Sequence, residues 1–180
     1  MKTVKLTVDE CGNNASIAVG KTLELLSDCK DSKIVFEKGI YHFYTEGTRK
    51  KFCAVSNNSS SDKNIVFSIE NFDGLTVDGC GSTFVFHDLV FPFAISESRN
   101  VILENFCADR GQTPQVAMRI KEATESGFSL EIDRKKYPYR VENGDLIFER
   151  EWGRIFEPRQ YCGISIVFDK DCAIPCCRQL

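Results

Sequence analysis

One internal repeat constrains this chain more than any other feature of its sequence. Residues Ile65–Asp78 and Phe91–Glu104 match at a constant offset of 26 positions. Phe67 falls on Phe93, Ile69 on Ile95, Leu75 on Val101 and Val77 on Leu103. Acidic Asp78 falls on Glu104, and Gly79 on Asn105. A fixed period in this range marks a solenoid, in which each turn buries its apolar residues against those of the turn before. Gly79 and Asn105 suit left-handed backbone at a corner, because Gly has no Cβ to clash and Asn tolerates that region. A meandering sandwich, with turns roughly every 8–12 residues, would share part of this pattern.

The segment ahead of the repeat favours the solenoid. Ala15, Val19, Leu23 and Leu26 recur at helical spacing between Ala15 and Cys29, flanked by Ala18, Leu25 and Cys29. Asn13 or Asn14 supplies the N-cap, and Gly20 weakens the helix by about 1 kcal/mol relative to Ala. The open end of stacked strands exposes unpaired edges, and an amphipathic helix just before the first turn covers them. The expected fold is mainly β: a right-handed parallel β-helix, with a cap helix and its first rungs in residues 1–111.

Other elements follow from local pattern. Residues 1–9 alternate apolar and polar like a strand and lack the apolar core of a signal peptide. Lys33–Phe43 reads as strand, tight turn, strand. Beyond Pro114 the repeat ends. Gln115–Glu122, Gly127–Asp133 and Tyr161–Phe168 read as strands, and Asn143-Gly144 as a hairpin turn between Tyr139–Glu142 and Asp145–Phe148. Residues 112–180 are expected to form a β-barrel-like insert, cut short.

Composition narrows the function classes. The net charge is −3, and Arg49-Lys50-Lys51 and Arg134-Lys135-Lys136 read as solvated loops, so no nucleic-acid partner is expected. No run reaches the roughly 20 apolar residues of a membrane helix. Nine cysteines are an odd number that secretion would leave incompletely paired, which favours free thiols in a reducing cytoplasm. Cys80 and Cys107 lie inside apolar patterns and read as core fillers. Cys172, Cys176 and Cys177 lack a second CxxC or a nearby His, so neither a metal site nor a cofactor is expected.

Several stretches resemble the bacterial α-1,3-galactosidases: the helix followed by KIVFEKGIYHFY, then FDGLTVDGCGSTFVFHD, SRNVILENFCAD and YPYRVENGDLIFEREWG. The helix-plus-rung arrangement is shared more widely with pectin-degrading, pectin-lyase-like β-helix enzymes. The resemblance covers roughly residues 10–168. It implies a β-helix carrying barrel modules, an inverting hydrolase without a cofactor, and a glycan with terminal galactose as partner. It also implies that the catalytic carboxylates lie on later rungs, so that the chain is a truncated form, inactive alone and able to self-associate through its open end. Full-length relatives are expected to be exported. The alternatives are a noncatalytic β-helix protein with a glycan-binding or structural role and, less favoured, a polysaccharide lyase, for which no acidic calcium cluster is evident.

Inverting glycoside hydrolysis needs two carboxyl groups roughly 6.5–9.5 Å apart. Asp78 and Glu104 would stack on adjacent rungs about 4.8 Å apart, too close for that role. Asp109, in CADRGQTP, is the single catalytic candidate. The resemblance places it at an Asp within a family motif of a small residue followed by Ile-Asp-Trp-Glu-Arg-Pro. Here Ala108 replaces the Ile, and Arg110-Gly111 replaces the Trp-Glu. Turn capping is its structural alternative. His87 and Asp88 are substrate-binding candidates, set against a structural hydrogen bond at a rung corner. Trp152, with Tyr137 and Tyr139, could form a sugar-stacking platform or pack within the insert. His42 reads as one face of a strand.

Overall fold

The computed structural model describes residues 1–55, 58–113, 116–124, 127–143, 145–150, 153–157, 167–168 and 175–176. The chain divides into two compact units, Met1–Thr113 and Pro114–Leu180.

The first unit starts with β1 (Lys2–Leu6), α1 (Val8–Cys11) and α2 (Ala15–Leu26). The opening strand is shorter than expected. Thr7 and Glu10 form a reciprocal capping box that starts α1 where strand had been expected to continue to residue 9. Asn14 is the N-cap of α2, accepting from the Ser16 backbone N–H at 3.1 Å. Ala15, Val19, Leu23 and Leu26 are buried as the periodicity requires, but Leu25 is exposed and the helix stops before Cys29.

Then come β2 (Ser32–Phe36), β3 (Ile40–Phe43), β4 (Arg49–Val55), β5 (Asn58–Glu70), β6 (Asp73–Phe86), β7 (Val90–Ser96) and β8 (Arg99–Arg110). β6 is the hub of a five-stranded parallel sheet. Its first half pairs β2, from Leu75 opposite Ser32 to Asp78 opposite Val35. Its second half pairs β3, from Thr83 opposite Ile40 to Phe86 opposite Phe43. So β2 and β3 run along one neighbour, and Glu37–Gly39 is a corner between them. The Tyr41 hydroxyl closes that corner by donating to the Glu37 carbonyl at 2.7 Å. The second sheet has three strands, with β5 parallel to β7 and antiparallel to β4.

The repeat is built into these ladders. Ile65 pairs Phe91, Phe67 pairs Phe93 and Ile69 pairs Ile95 between β5 and β7. Leu75 pairs Val101, Val77 pairs Leu103 and Asp78 pairs Glu104 between β6 and β8. After Asp78 the register slips, so that Ser82 faces Phe106 and Phe86 faces Arg110. The cause is the corner. Cys80 and Gly81 both take positive φ in β6, whereas β8 turns at Asn105 with φ 58°. Gly79 does not use the left-handed region expected of it. Its requirement is close approach: a Cβ there would lie 2.5 Å from the Phe106 Cβ and 2.8 Å from the Asn105 carbonyl oxygen.

Alternation along these strands sends Phe36, Tyr41, Phe43, Phe67, Phe84 and Phe86 into one core, all at most 2% exposed. Their rings continue onto the neighbouring strands β7 and β8, with Phe67 stacked on Phe93 at 4.9 Å and Phe84 on Phe106 at 4.7 Å between centroids. Coverage falls there: Ile95 is 50% exposed, although its partner Ile69 is fully buried.

Two further expectations are overturned. Arg49-Lys50-Lys51 is not a loop but the start of β4, where Lys51 Nζ reaches Glu70 at 2.7 Å and Ser96 at 3.1 Å. Cys80 and Cys107 are exposed and not core, because Cys80 sits in the corner and Cys107 lies opposite Thr83 on the outward side of β8.

The second unit is antiparallel. β9 (Met118–Thr124) pairs β10 (Gly127–Ile132), and β11 (Tyr139–Glu142), β12 (Asp145–Arg150) and β13 (Gly153–Glu157) form a meander. Glu142 faces Asp145 across the two-residue turn, with Asn143 at φ 51°. Short β14 (Val167–Phe168) and β15 (Pro175–Cys176) also pair. Of the strand expected over 161–168, only Val167–Phe168 is described. Trp152, Cys172 and Cys177 lie outside the described residues.

Candidate functional site

The C-terminal ends of β3, β6 and β8 meet at one corner. His42, Val85 and Asp109 form one outward column, and Phe43, Phe86 and Arg110 the adjacent inward one. The ladder runs one step further, since the His87 N–H donates to the Phe43 carbonyl at 2.8 Å and the Gly111 N–H to the Phe86 carbonyl at 3.0 Å. His87 is therefore carried between Tyr44 and Gly111. Its ring stacks on Tyr44 with centroids 4.3 Å apart and planes 10° from parallel. From the β8 side only a glycine fits: a Cβ on Gly111 would lie 2.5 Å from His87 Nδ1.

His87 Nε2 and His42 Nδ1 are 2.8 Å apart, a hydrogen bond whose direction depends on the tautomers. Asp88 turns through φ 48°, and its carboxylate accepts from the Thr45 N–H at 3.0 Å. Tyr44 is fixed from the helix side, its N–H donating to Ser16 Oγ at 3.1 Å and its carbonyl accepting from the same hydroxyl at 2.8 Å. Asp109 is exposed, and its Oδ1 accepts from the Arg110 N–H at 2.7 Å. Arg110 occupies the column that holds phenylalanine on the two preceding strands. Its guanidinium donates to the carbonyls of Asp88 at 3.0 Å and Val90 at 2.7 Å. A fork with no acceptor capacity of its own thus satisfies two backbone oxygens at the turn.

The corner gathers three candidates the sequence names, His87, Asp88 and Asp109, and adds His42, which the sequence reads as one face of a strand, with Tyr44 and Arg110, to which it gives no role. A signal for His42 and Tyr44 existed. IYHFYT and TFVFHD share one apolar alternation and pair in that register, which sets Tyr44 beside His87.

The stacked carboxylates Asp78 and Glu104 have a different role. Lys33 Nζ lies 2.8 Å from Asp78 and 3.9 Å from Glu104. Asp78 also accepts from Asn105 Nδ2 and from the Cys80 N–H, each at 3.0 Å. The hydrogen bond from Lys33, then those from Asn105 and Cys80, hold the Asp78 carboxyl well below the usual carboxylate range, while Asp78 raises the Lys33 ammonium above its own. A carboxylate so engaged joins strands and is unsuited to proton transfer.

Of the three aromatic residues of the second unit named as a platform, Trp152 lies outside the described residues. Tyr137 is 6% exposed, and the Arg134 guanidinium lies 5.1 Å over the Tyr139 ring. Among the described residues no three His, Cys, Asp or Glu side chains are grouped to hold a metal ion, and no helix is long and apolar enough to cross a membrane.

No family model matches the chain. Curated proteins do. An α-1,3-galactosidase B of Bacteroides thetaiotaomicron is 31% identical over 140 residues, 77% of this chain and 23% of that protein. An α-1,3-galactosidase A of Shewanella woodyi is 34% identical over 143 residues, 78% of this chain and 23% of that protein. The chain is a relative of the α-1,3-galactosidases. An α-1,3-galactosidase B of Phocaeicola vulgatus extends the likeness to 88% of the chain at 30% identity, again over only 27% of that protein. The chain thus spans about a quarter of the length of the α-1,3-galactosidases it matches. A match over 78% of 180 residues necessarily takes in both β6 and β8, two of the three strands that meet at the corner.

Proposed function

We propose that this chain is part of a glycoside hydrolase acting on glycans that end in α-1,3-linked galactose. In this reading residues 1–111 are the cap and first rungs of a right-handed parallel β-helix, and residues 112–180 a barrel-like insert. The supporting observation is the run of in-register parallel pairs at one fixed offset, from Ile65 with Phe91 to Asp78 with Glu104, in a relative of enzymes named for this bond. The corner of His42, His87, Asp88 and Asp109 is the proposed sugar-facing surface, with Asp109 as its solvent-facing carboxylate.

Inversion at the anomeric carbon needs one carboxylic acid on the leaving oxygen and one carboxylate on water. Asp78 and Glu104 do not meet that requirement, being adjacent and bound to Lys33. These 180 residues by themselves are therefore expected to release no galactose from a Galα1-3Gal substrate. Turnover by the purified chain that disappears in Asp109→Asn would overturn this. The same engagement of Asp78 favours a second reading, a noncatalytic scaffold that binds galactosides. A longer protein containing this chain that binds such a glycan and never cleaves it would support that reading over the first.

A further inference from the structure

We propose that the His42–His87 pair is a proton-operated latch that fastens the end of β3 to the end of β6 and opens when both rings are imidazolium. A neutral imidazole carries one donor and one acceptor nitrogen, and an imidazolium carries two donors. The 2.8 Å contact between His42 Nδ1 and His87 Nε2 therefore holds one hydrogen between two nitrogens. It survives with both rings neutral or with one charged. With both charged, two N–H groups point at each other, and the contact becomes repulsive.

The surroundings determine what opening releases. From β3, Tyr44 stacks on His87 and the Thr45 N–H binds the Asp88 carboxylate. From β6 comes Asp88 itself. From β8 come the Asp109 carboxylate, the Arg110 cation seated on the Asp88 and Val90 carbonyls, and the Gly111 backbone against His87. From α2 and its cap come only neutral groups: Ser16 Oγ and Asn14 Oδ1 accept from the Tyr44 N–H. A first positive charge on the pair leaves one hydrogen between the facing nitrogens and lies at a corner that also carries the Asp88 and Asp109 carboxylates. A second positive charge puts a hydrogen on both facing nitrogens and adds to the Arg110 cation. Its arrival frees the Tyr44–Thr45 segment, which is also the anchor of the α2 N-cap.

The sign follows from proton counting. The latched state accommodates one hydrogen on the two facing nitrogens, whereas the unfastened chain accepts two. Acid therefore favours the open corner. Amide hydrogen exchange on the whole chain, corrected for intrinsic rates, tests this at the Thr45 and His87 N–H groups. Protection is expected to fall about tenfold or more from about pH 7.5 to about pH 5 in the wild type. In His42→Gln, whose amide can donate or accept at either pH, the fall should be under about twofold. Equal falls in both proteins would overturn the latch. Should His42→Gln not fold, nitrogen-15 spectra of the wild-type imidazoles decide. Loss of the shared hydrogen together with Thr45 protection supports it, and both rings fully protonated with Thr45 still protected refutes it.

Discussion

Replacing Phe84 with alanine removes the ring at the centre of the aromatic stack. Phe84 is fully buried, with centroids at 4.8 Å from Phe36, 5.3 Å from Phe43, 5.9 Å from Phe67 and 4.7 Å from Phe106. Two of those rings, Phe67 and Phe106, come from another sheet and from the neighbouring strand β8. The site cannot collapse without moving both, so most of the void should persist. Buried Phe→Ala changes cost about 3–5 kcal/mol, and several ring pairs lost together place this one in the upper half of that range. Ile95→Ala is the internal control. Ile95 pairs with Ile69 in the β5–β7 ladder but is 50% exposed, so about 1 kcal/mol is expected from its buried half. Urea unfolding followed by far-ultraviolet circular dichroism, together with exchange of β6 amides, gives both values. A Phe84→Ala cost no larger than that of Ile95→Ala would refute the argument that the stack is the core of this unit.

Asp78→Asn should remove part of the acid sensitivity of the first unit. Because the folded carboxyl is held below its ordinary value, the Lys33–Asp78 contact contributes stability above about pH 4 that is lost as pH falls further, and a pH series of unfolding midpoints should be flatter below about pH 4 in the variant. Gly79→Ala should loosen the β6–β8 corner, since the new methyl meets both Phe106 and the Asn105 backbone; a loss of about 1–3 kcal/mol is expected in the same unfolding assay, with the slowest-exchanging β8 amides affected first.

The parallel stack was legible because burial imposes it on the sequence. Phe67, Ile69, Leu75 and Val77 each pair with an apolar residue on the neighbouring parallel strand, and a constant chain length between paired strands writes that pairing as a constant offset. The slip after Asp78 was not legible. It depends on Cys80 and Gly81 both turning in β6 where Asn105 alone turns in β8, and it sets Phe86 opposite Arg110. Nothing in CADR marks Arg110 as lying in an inward column. Its reason is the pair of carbonyls at Asp88 and Val90, which come together as acceptors for its guanidinium only once the turn is formed. The alternation in IYHF puts His42 on one face of a strand, where it lies in β3, yet its meaning depends on His87, 45 residues away. The paired carboxylates Asp78 and Glu104 were placed correctly as neighbours, and Lys33, the third charge that fixes Asp78, comes from a strand outside the repeat. Asp109 stands where its strand puts it, solvent-exposed on the same column as His42 and Val85.

The most direct test of a galactoside-facing corner is a titration of the isotope-labelled chain with Galα1-3Gal, followed by amide and imidazole shifts. Concentration-dependent shifts are expected at His42, Tyr44, His87, Asp88 and Asp109, weakened in Asp109→Asn, while Lys33 and Asp78 stay unmoved. A titration that leaves these residues unshifted, or that moves only residues away from the ends of β3, β6 and β8, would contradict it.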